Sequence, residues 1–425
     1  MLDIHLFRDN IELVKASQRK RFKDASIADK VLHWDEVWRE IRMKTDALRA
    51  ERNAISKKIG NLKKQKKDAS NLITKSKHLG EQITGNETKE SHALEQREKF
   101  RYQVGNIIHE SVPVGETEDA NEIVLTWGEK PTFDFNPKIH VDLVELVDGV
   151  ELKKAQEIAG SRMYYLKNDL ALLNLALLQF ALDFLVKKGF SPFWTPFFIN
   201  HDTIKKAAEL ADFEEQLYKI EDEDLYLIAT SEQTLAALHK DEIIDEDLLP
   251  LKYCGISSCF RREAGAHGRD TLGIFRIHQF EKIEQFVYTS PEHSWEMHEI
   301  LIQNAEEIYK ALGIPFRVVN IASGEMNDNA AKKYDLEGWF PGSGTYRELC
   351  SCSNCTSYQA RKLGTRFGKQ GGDKETVHTL NSTAIATERT ICCILENYQQ
   401  EDGTVQVPEK IVPYMGGRKI IKPWE

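Results

Sequence analysis

Residues 260–284 read FRREAGAHGRDTLGIFRIHQFEKIE, and this stretch predicts two strands joined by a glycine-rich loop. Successive residues of a strand point to opposite faces of its sheet. In the second strand this alternation separates a polar face from an apolar one. The apolar face, which is expected to meet the core, consists of Phe275, Ile277 and Ile283.

The polar face carries side chains that suit a nucleotide. Arg276, Phe280 and Glu284 share it in the second strand, and Arg261 and Glu263 share a face in the first. A guanidinium matches phosphate oxygens, an aromatic ring stacks on a flat base, and a carboxylate accepts hydrogen bonds from amino or hydroxyl groups. The pattern therefore predicts a nucleotide site beside a small polar substrate. The chain has neither a P-loop nor a GxGxxG motif, so those two kinds of nucleotide site are not supported.

The composition is that of an ordinary globular protein with room for two domains: the 425 residues are 41% hydrophobic and 29% charged. The most apolar run, residues 170–186, is interrupted by Asn174, Gln179 and Asp183, so it predicts a buried amphipathic helix and no membrane span. The first thirty residues mix acidic and basic side chains, unlike a secretory or transit peptide, and a cytoplasmic location is expected. An odd number of cysteines, seven, favours reduced thiols.

The N-terminal quarter predicts an antiparallel helical hairpin. Nine positions follow a 4-3-4-3 spacing and seven of them are apolar, which is the pattern of a coiled-coil seam: Trp34, Trp38, Ile41, Thr45, Leu48, Arg52, Ile55, Ile59 and Leu62. A second helix is predicted at 72–108, with a break or kink at Gly85–Asn86, and residues 66–71 suit the connecting turn. At ~1.5 Å per residue the arm would measure roughly 45–55 Å. It is expected to end at Gly115, with a linker at 116–127.

Charge is concentrated near the predicted tip of this arm. Residues 51–78 contain nine Lys or Arg against Glu51 and Asp68, a net of +7, whereas the whole chain carries −10 and the remainder therefore −17. A basic tip on an acidic protein favours contact with a nucleic-acid backbone, although a solvated coiled-coil surface would look similar. The candidate residues for this contact are Arg52, Lys57, Lys58, Lys63, Lys64, Lys66 and Lys67.

From residue 140 onward the chain alternates between predicted helices and predicted strands. Strands that follow one another like the two arms of a hairpin predict a mainly antiparallel sheet. Helices are predicted at 169–188, 202–212, 230–240, 290–312 and 382–398. Strands are predicted at 215–229, 255–263, 274–288, 315–322 and 346–353.

With the strand pair and the arm together, the chain resembles the seryl-tRNA synthetases, a family of class II aminoacyl-tRNA synthetases, and in particular their eukaryotic cytosolic type. The likeness covers nearly the full length. The segments that carry it are 260–284 (second class II motif), 378–399, HTLNSTAIATERTICCILENYQ (third motif), Pro196 in GFSPFWTPFFI (first, dimer-forming motif), Thr230-Ser-Glu232 (serine-binding element) and 346–359, YRELCSCSNCTSYQ (a strand that completes the ATP site).

The resemblance implies an α+β fold: a class II antiparallel sheet flanked by helices, preceded by a two-helix coiled-coil arm. It implies a tRNA-binding arm at 1–115, a catalytic domain at 116–425, and a homodimer. The family first joins L-serine to ATP, which gives seryl-adenylate and pyrophosphate, and then transfers the seryl group to the 3′ end of serine tRNA. The arm grips the long variable arm of that tRNA, and selenocysteine tRNA is a further substrate that the resemblance allows.

The resemblance also assigns roles in the ATP site. Arg261 would bind the α-phosphate, Arg276 the terminal phosphates, and Glu263 the adenine amino group. Phe280 would stack on one face of the adenine, while Arg389 would cover the other face and approach the γ-phosphate. Arg261, Arg276 and Arg389 are the expected catalytic residues because the reaction needs charge stabilisation and no general base: the serine carboxylate is already ionised at neutral pH.

Glu348 and Ser351 are expected to hold a magnesium ion that bridges the ATP phosphates. Strict alternation along their strand would place them on opposite faces, so this pairing needs a bulge or twist between them. The neighbouring Cys350, Cys352 and Cys355 have a CxCxxC spacing, but no fourth ligand is evident and zinc is not expected.

The serine site is assigned in the same way. Glu284 would accept the substrate hydroxyl, which would select serine over alanine and glycine because an analogue without that group leaves polar atoms unpaired. Asn381 and Thr383 would lie beside it, Thr230 and Glu232 would surround the amino group, and Arg261 would also contact serine.

Two alternatives stay open. A relative could activate an amino acid and charge a carrier protein, which the basic arm argues against. A catalytically inactive RNA-binding or scaffold relative is the second alternative, and the complete set of Arg261, Glu263, Glu348 and Arg389 argues against it.

Overall fold

The computed structural model describes residues 1–208, 214–263 and 272–424. The chain divides into two compact units, Met1–Ile107 and Ile108–Glu425. The expected end of the arm at Gly115 therefore falls within the second unit. The central part of the predicted glycine-rich loop, 264–271, and the end of the predicted helix 202–212 lie outside the described residues.

The described residues form the following elements, numbered in chain order. The helices are α1 (Ile4–Asp9), α2 (Ile11–Lys20), α3 (Ile27–Lys64), α4 (Ser70–Arg101), α5 (His140–Leu146), α6 (Leu152–Ala159), α7 (Asn168–Lys187), α8 (His201–Ala207), α9 (Glu232–Ala236), α10 (Ser294–Ala311), α11 (Tyr358–Leu363) and α12 (Thr387–Tyr398). The strands are β1 (Glu122–Trp127), β2 (Val150–Glu151), β3 (Tyr165–Leu166), β4 (Ser191–Trp194), β5 (Phe198–Asn200), β6 (Leu225–Leu227), β7 (Ile243–Ile244), β8 (Leu251–Phe260), β9 (Gln279–Thr289), β10 (Phe316–Asn320), β11 (Lys332–Phe340), β12 (Thr345–Thr356), β13 (Arg366–Phe367), β14 (Glu375–Thr376), β15 (His378–Ala386), β16 (Val405–Gln406) and β17 (Ile420–Ile421).

The first unit is built on the hairpin of α3 and α4, which confirms the predicted helical arm. Ion pairs join later positions of one helix to earlier positions of the other: Asp35 to Arg97 at 3.0 Å, Arg49 to Glu87 at 2.8 Å and Glu51 to Lys75 at 2.7 Å. This pairing makes the two helices antiparallel. Thr45 and Ile55 of the predicted seam are buried.

The returning helix α4 runs without interruption through Gly85 and Asn86, so the predicted break is wrong. A glycine inside a helix costs about 1 kcal/mol relative to alanine. Burial of Leu79 and Ile83 on the preceding turns of the same helix outweighs that cost, since a buried aliphatic side chain contributes about 1.5–3 kcal/mol. Tertiary packing, which the local pattern does not contain, decides the outcome here.

The second unit is organised around an eight-stranded sheet in the order β1-β10-β11-β12-β15-β9-β8-β4. Neighbouring strands are antiparallel except β4 and β8, which are parallel. The predicted mainly antiparallel sheet is therefore confirmed. Residues 116–127, expected to be a linker, contribute β1 at one edge of this sheet, where Trp127 stacks on Phe316 of β10. That expectation is wrong because an apolar ring contact and a strand ladder hold the segment against the sheet.

Near the centre of the sheet lies a strand that the sequence pattern assigned partly to a helix. The predicted helix 382–398 begins at Thr387, as α12, and the residues before it form β15 between β12 and β9. Nearly every side chain of β15 is buried, as expected of a strand covered on both faces, and such a strand shows no alternation that would reveal it.

Helix α7 is the one helix in the described part of the chain that is long and apolar enough to span a membrane. It buries Leu170, Leu173, Ala176, Leu177, Phe180, Ala181 and Leu185. These side chains belong to the main hydrophobic core together with Ile283 of β9 and Leu301 of α10. This placement is typical of a core helix and agrees with the predicted buried amphipathic helix.

Candidate active site

One face of the sheet borders a cavity of about 300 Å³. Its lining comes from β9, β11, β12 and β15, from the starts of α9 and α12, and from residues that follow β8. The structure brings together all the residues proposed for ATP and serine: Thr230, Glu232, Arg261, Glu263, Arg276, Phe280, Glu284, Glu348, Ser351, Asn381, Thr383 and Arg389. Their convergence on one cavity is an observation, while the ligand assigned to each stays a prediction.

The strand pair β8–β9 is shorter than the sequence pattern indicates. The last ladder pair is Phe260 with Gln279, so Glu263 and Arg276 lie beyond the strands and the predicted strand alternation does not place them. Ile274 and Phe275 are consecutive and both buried, which is incompatible with a strand that has one polar face. Phe280 and Glu284 do share the cavity face of β9, as predicted.

A buried polar cluster occupies the corner of the cavity between β9, β15 and residue 230. Lys282 Nζ lies 2.5 Å from Glu284 Oε2 and donates to Thr230 Oγ1 at 2.7 Å. Thr383, directly opposite Glu284 across the β9–β15 ladder, donates its hydroxyl to Glu284 Oε2 at 3.2 Å. The side chains of Lys282 and Glu284 are only 6% and 2% exposed, so this ion pair is desolvated and its partners depend strongly on each other.

Glu232 adds a second carboxyl group to this corner. Burial and the nearby charge of Glu284 together raise the pKa of Glu232 to about 7, against the opposing effect of Lys282. Gln359 Nε2 donates to Glu232 Oε1 at 3.1 Å and fixes the orientation of the carboxyl group. The corner can thus accept hydrogen bonds from an ammonium or hydroxyl group, and its charge changes near neutral pH.

The bulge that the magnesium pairing requires is present in β12. Cys350 lies opposite Leu336, but the next ladder pair joins Glu348 to Glu337, so Leu349 is the extra residue. Glu348 and Ser351 consequently both line the cavity, whereas Cys350 and Cys352 are buried in the core behind them. All seven cysteines are buried thiols.

Guanidinium groups lie beside aromatic rings in another part of the cavity. Arg389 Nη1 lies 3.3 Å from Glu348 Oε2, and Arg389 Cζ stands 5.2 Å from the centre of the Phe275 ring. Arg261 Cζ lies 5.1 Å from the centre of the Phe280 ring, and Arg261 Nε donates to the carbonyl of Ala229. These contacts hold two guanidiniums within the cavity on flat apolar supports.

The electrostatics of the cavity keep Glu348 ionised. Burial by itself would raise the pKa of Glu348. The positive charges of Arg389, Lys333 and Arg261 outweigh this effect and lower the pKa to about 2. Arg276 contributes a further cation, and its Nε lies 3.6 Å from Glu263 Oε2. The arrangement places several positive charges beside the ionised Glu348 carboxylate, which suits a polyphosphate with a divalent cation.

Sequence reasoning missed two lysines of the cavity. Lys282 has the same strand parity as Phe280 and Glu284, so that signal was available in the printed pattern. Lys333 comes from β11, a strand that was not predicted; it faces Ser353 across the ladder, and its Nζ lies 3.2 Å from Asp335 Oδ2. Burial raises the pKa of Asp335 to about 7 against the opposing effect of Lys333.

Comparison with known proteins extends the likeness to the whole chain. Residues 1–108 match the model of the seryl-tRNA synthetase N-terminal domain, and residues 217–398 match that of the tRNA synthetase class II core domain (G, H, P, S and T). The serine–tRNA ligase of Methanosphaera stadtmanae is 56% identical over 99% of this chain and 100% of its own length. The cytoplasmic serine–tRNA ligase of Arabidopsis thaliana is 50% identical over 99% of this chain and 96% of its own. The likeness is therefore not confined to the cytoplasmic type.

Two solved structures share the architecture. A seryl-tRNA synthetase from Pyrococcus horikoshii, complexed with ATP, has a TM-score of 0.95 at 44% identity, with 100% of both chains covered. A cytoplasmic serine–tRNA ligase from Naegleria fowleri, in complex with AMP, has a TM-score of 0.90 at 47% identity and covers 100% of this chain and 99% of its own. They confirm the predicted class II fold with its N-terminal helical arm. On these grounds the chain belongs to the seryl-tRNA synthetase family of class II aminoacyl-tRNA synthetases.

Proposed function

We propose that this protein is a serine–tRNA ligase, which activates L-serine with ATP to seryl-adenylate and transfers the seryl group to the 3′ end of serine tRNA. The observation that carries the proposal is the buried cluster of Lys282, Glu284, Thr230 and Thr383 beside the Arg261 and Arg389 guanidiniums. The names of the relatives and the ATP and AMP complexes of the two solved neighbours support it.

In the first step an oxygen of the serine carboxylate forms a bond to the α-phosphorus of ATP, and the bond to the bridging oxygen of pyrophosphate breaks. No proton needs to move because the attacking carboxylate is already ionised. Arg261 stabilises the charge that grows on the α-phosphate, and Arg276 and Arg389 stabilise the departing pyrophosphate. Phe280 and Glu263 position the adenine, so the contribution of the site is orientation and charge stabilisation.

Selection of serine follows from the buried corner. Glu284 accepts the substrate hydroxyl, with Asn381 and Thr383 beside it, and Thr230 and Glu232 surround the amino group. Alanine and glycine would leave the Glu284 carboxylate without that hydrogen bond in a site closed to water, which is the more discriminating way to recognise a small polar side chain. Threonine would be rejected because its extra methyl group requires space.

The residues present fit a magnesium ion. Glu348 is ionised, and the bulge at Leu349 places its carboxylate and the Ser351 hydroxyl on the same cavity wall. Magnesium prefers oxygen ligands and takes only one or two of them from protein when it binds a nucleotide. When bound, it would neutralise charge on the ATP phosphates.

A second copy of the chain is the proposed partner of the surface around β4. This strand is the edge of the sheet, and Trp194 at its end is 77% exposed, with Phe198 51% and Leu175 of α7 62% exposed. Exposed apolar side chains beside an unpaired strand edge are typical of an interface. Replacing Trp194 with Asp should convert a dimer to a monomer in sedimentation velocity, and an unchanged dimer would contradict this placement.

The arm is proposed to bind serine tRNA through its basic tip. All seven candidate side chains, Arg52, Lys57, Lys58, Lys63, Lys64, Lys66 and Lys67, are exposed. Exposed lysines and arginines bind phosphates by displacing counterions, and the contact carries little sequence information. The Arabidopsis relative is named cytoplasmic, which supports a cytoplasmic location.

Serine-dependent exchange between ATP and labelled pyrophosphate tests the proposal. The assay is run with serine, threonine, alanine and glycine, and exchange is expected with serine alone. Exchange with another of these amino acids would contradict the assigned selectivity. Absence of exchange with all four would favour the inactive RNA-binding or scaffold alternative.

A further inference from the structure

A short segment outside the family motifs contacts both ends of the adenine site. Arg162 Nη1 donates to the carbonyl of Glu263 at 2.9 Å, and the carbonyl of Arg162 accepts from the backbone N–H of His278 at 3.2 Å. Arg162 therefore joins the end of the first strand region to the start of the second. Its φ of +57° lies in the left-handed region, which costs a non-glycine residue energy and persists only where surrounding contacts enforce it.

Two residues further on, Tyr164 completes a clasp between β9 and α12. The Tyr164 hydroxyl donates to Glu388 Oε1 at 2.6 Å. The Glu388 carboxyl group, whose pKa burial raises well above its usual value, also accepts the backbone N–H of Glu281, with both oxygens at 3.1 Å, and the hydroxyl of Thr387 at 3.1 Å. Glu388 is 1% exposed, so each of these donors replaces water that the carboxyl group has lost.

The hydrogen bonds of Glu388 lie next in the chain to two residues that are proposed to contact the adenine. Phe280 directly precedes Glu281, and Arg389 directly follows Glu388. In the proposed function these two side chains cover opposite faces of the adenine. The bonds between the Glu388 carboxyl group and the Glu281 N–H therefore tie the backbone beside Phe280 to the backbone beside Arg389. Arg162 acts at the edge of the same slot because it holds the backbone of Glu263, the proposed partner of the adenine amino group.

We propose that Tyr164 and Arg162 are positioning residues that fix the width and edge of the adenine slot without touching ATP themselves. The inference rests on the proposed function and deepens it, since it assigns nucleobase selection to a segment that none of the motifs includes. A hydrogen-bond clasp serves this purpose because a slot for a flat base must be held within tenths of an ångström, and side chains locked by buried bonds do so best.

The variant Tyr164→Phe tests the clasp, with Tyr165→Phe as the matched control because Tyr165 is 47% exposed and adjacent. In serine-dependent exchange, the KM for ATP should rise about tenfold in Tyr164→Phe, since a buried carboxylate loses one donor, while the KM for serine and kcat change less than about twofold. GTP should become a better competitor against ATP. Tyr165→Phe should match the unaltered chain in all of these measurements.

Arg162 provides an independent second variant if Tyr164→Phe fails to fold. Arg162→Ala should raise the KM for ATP, and Arg162→Lys should restore part of the loss because an ammonium can still donate to the Glu263 carbonyl. Equal KM values for ATP in the unaltered chain, Tyr164→Phe and Arg162→Ala would overturn the inference. A parallel loss of ATP and serine affinity would do so too, since it indicates general destabilisation. Absence of exchange in the unaltered chain would instead refute the proposed function.

Discussion

The basic tip of the arm and the substrate cavity both depend on charge, but they use it under opposite conditions. At the tip the seven candidate cations are exposed, and each can be screened by salt. In the cavity Lys282 and Glu284 are 6% and 2% exposed, and each is the other's ion-pair partner. Exposed charges act nearly independently, whereas removing one member of a buried ion pair leaves the other charge buried without its partner. The arm should therefore respond to mutation gradually, and the cavity abruptly.

The largest effect is expected at Glu284. Glu284→Ala removes the proposed acceptor of the serine hydroxyl and leaves Lys282 without its ion-pair partner. The kcat/KM for serine should fall by about 10³-fold or more, and the preference for serine over alanine should fall at least about 100-fold. Exchange kinetics with both amino acids provide the measurement, and an exposed control is Glu296→Ala on α10. An unchanged preference for serine over alanine in Glu284→Ala would contradict the proposed contact between Glu284 and the serine hydroxyl.

An intermediate effect is expected at the arm. Changing Lys57, Lys58, Lys63 and Lys64 to Gln should weaken tRNA binding about 10- to 100-fold at low salt and leave serine-dependent exchange unaltered. The slope of log Kd against log salt should fall by up to about 0.9 for each lost phosphate contact. The control changes an equal number of exposed lysines of the same unit outside residues 51–78, namely Lys23, Lys30, Lys44 and Lys99. Equal losses in both variants would mean that the tip has no special role.

A smaller effect is expected from pH, through Glu232. Because its pKa is raised to about 7, the carboxyl group is neutral below that pH and no longer attracts the serine ammonium group. The KM for serine should rise about fivefold as pH falls from 7 to 6, and Glu232→Gln should flatten this dependence. Serine binding is expected to improve as pH rises, but stability should change in the opposite direction. Because the pKa of Glu232 is higher in the folded chain than in the unfolded chain, the free energy of unfolding should fall as pH rises from about 4.5 to 7. A KM independent of pH would exclude Glu232 from the amino-group site.

The smallest effect is expected at Gly85, in the middle of α4. A Cβ at this position meets nothing within 4 Å, so Gly85→Ala should raise the free energy of unfolding by about 1 kcal/mol. Thermal unfolding followed by circular dichroism measures this, and Gly313→Ala is a contrasting control because its φ is +65° and a Cβ there would lie 2.4 Å from the Tyr398 hydroxyl. If Gly85→Ala instead lowers the free energy of unfolding, α4 needs the flexibility of glycine at this point.

Several features of the molecule follow from local sequence alone. The spacing of apolar residues predicted the two arm helices because a helix repeats every 3.6 residues, and the predicted antiparallel hairpin is seen in the ion pair of Asp35 with Arg97. Strand parity predicted the cavity face of β9 correctly for Phe280 and Glu284. The motif residues that the family likeness indicated do converge on one cavity. In each case the signal lies within a few residues of the position that it describes.

The remaining features were decided by contacts between distant parts of the chain. β15 is buried on nearly every position, so it shows little alternation, and the Leu349 bulge becomes visible only in the register of β12 against β11. Lys333 enters the cavity only through that pairing. Tyr164 meets Glu388, 224 positions later, and no local period encodes such a contact. Sequence by itself determined the local periods and the family likeness; the tertiary structure decided which polar groups were buried together, because desolvation depends on every element that packs around them.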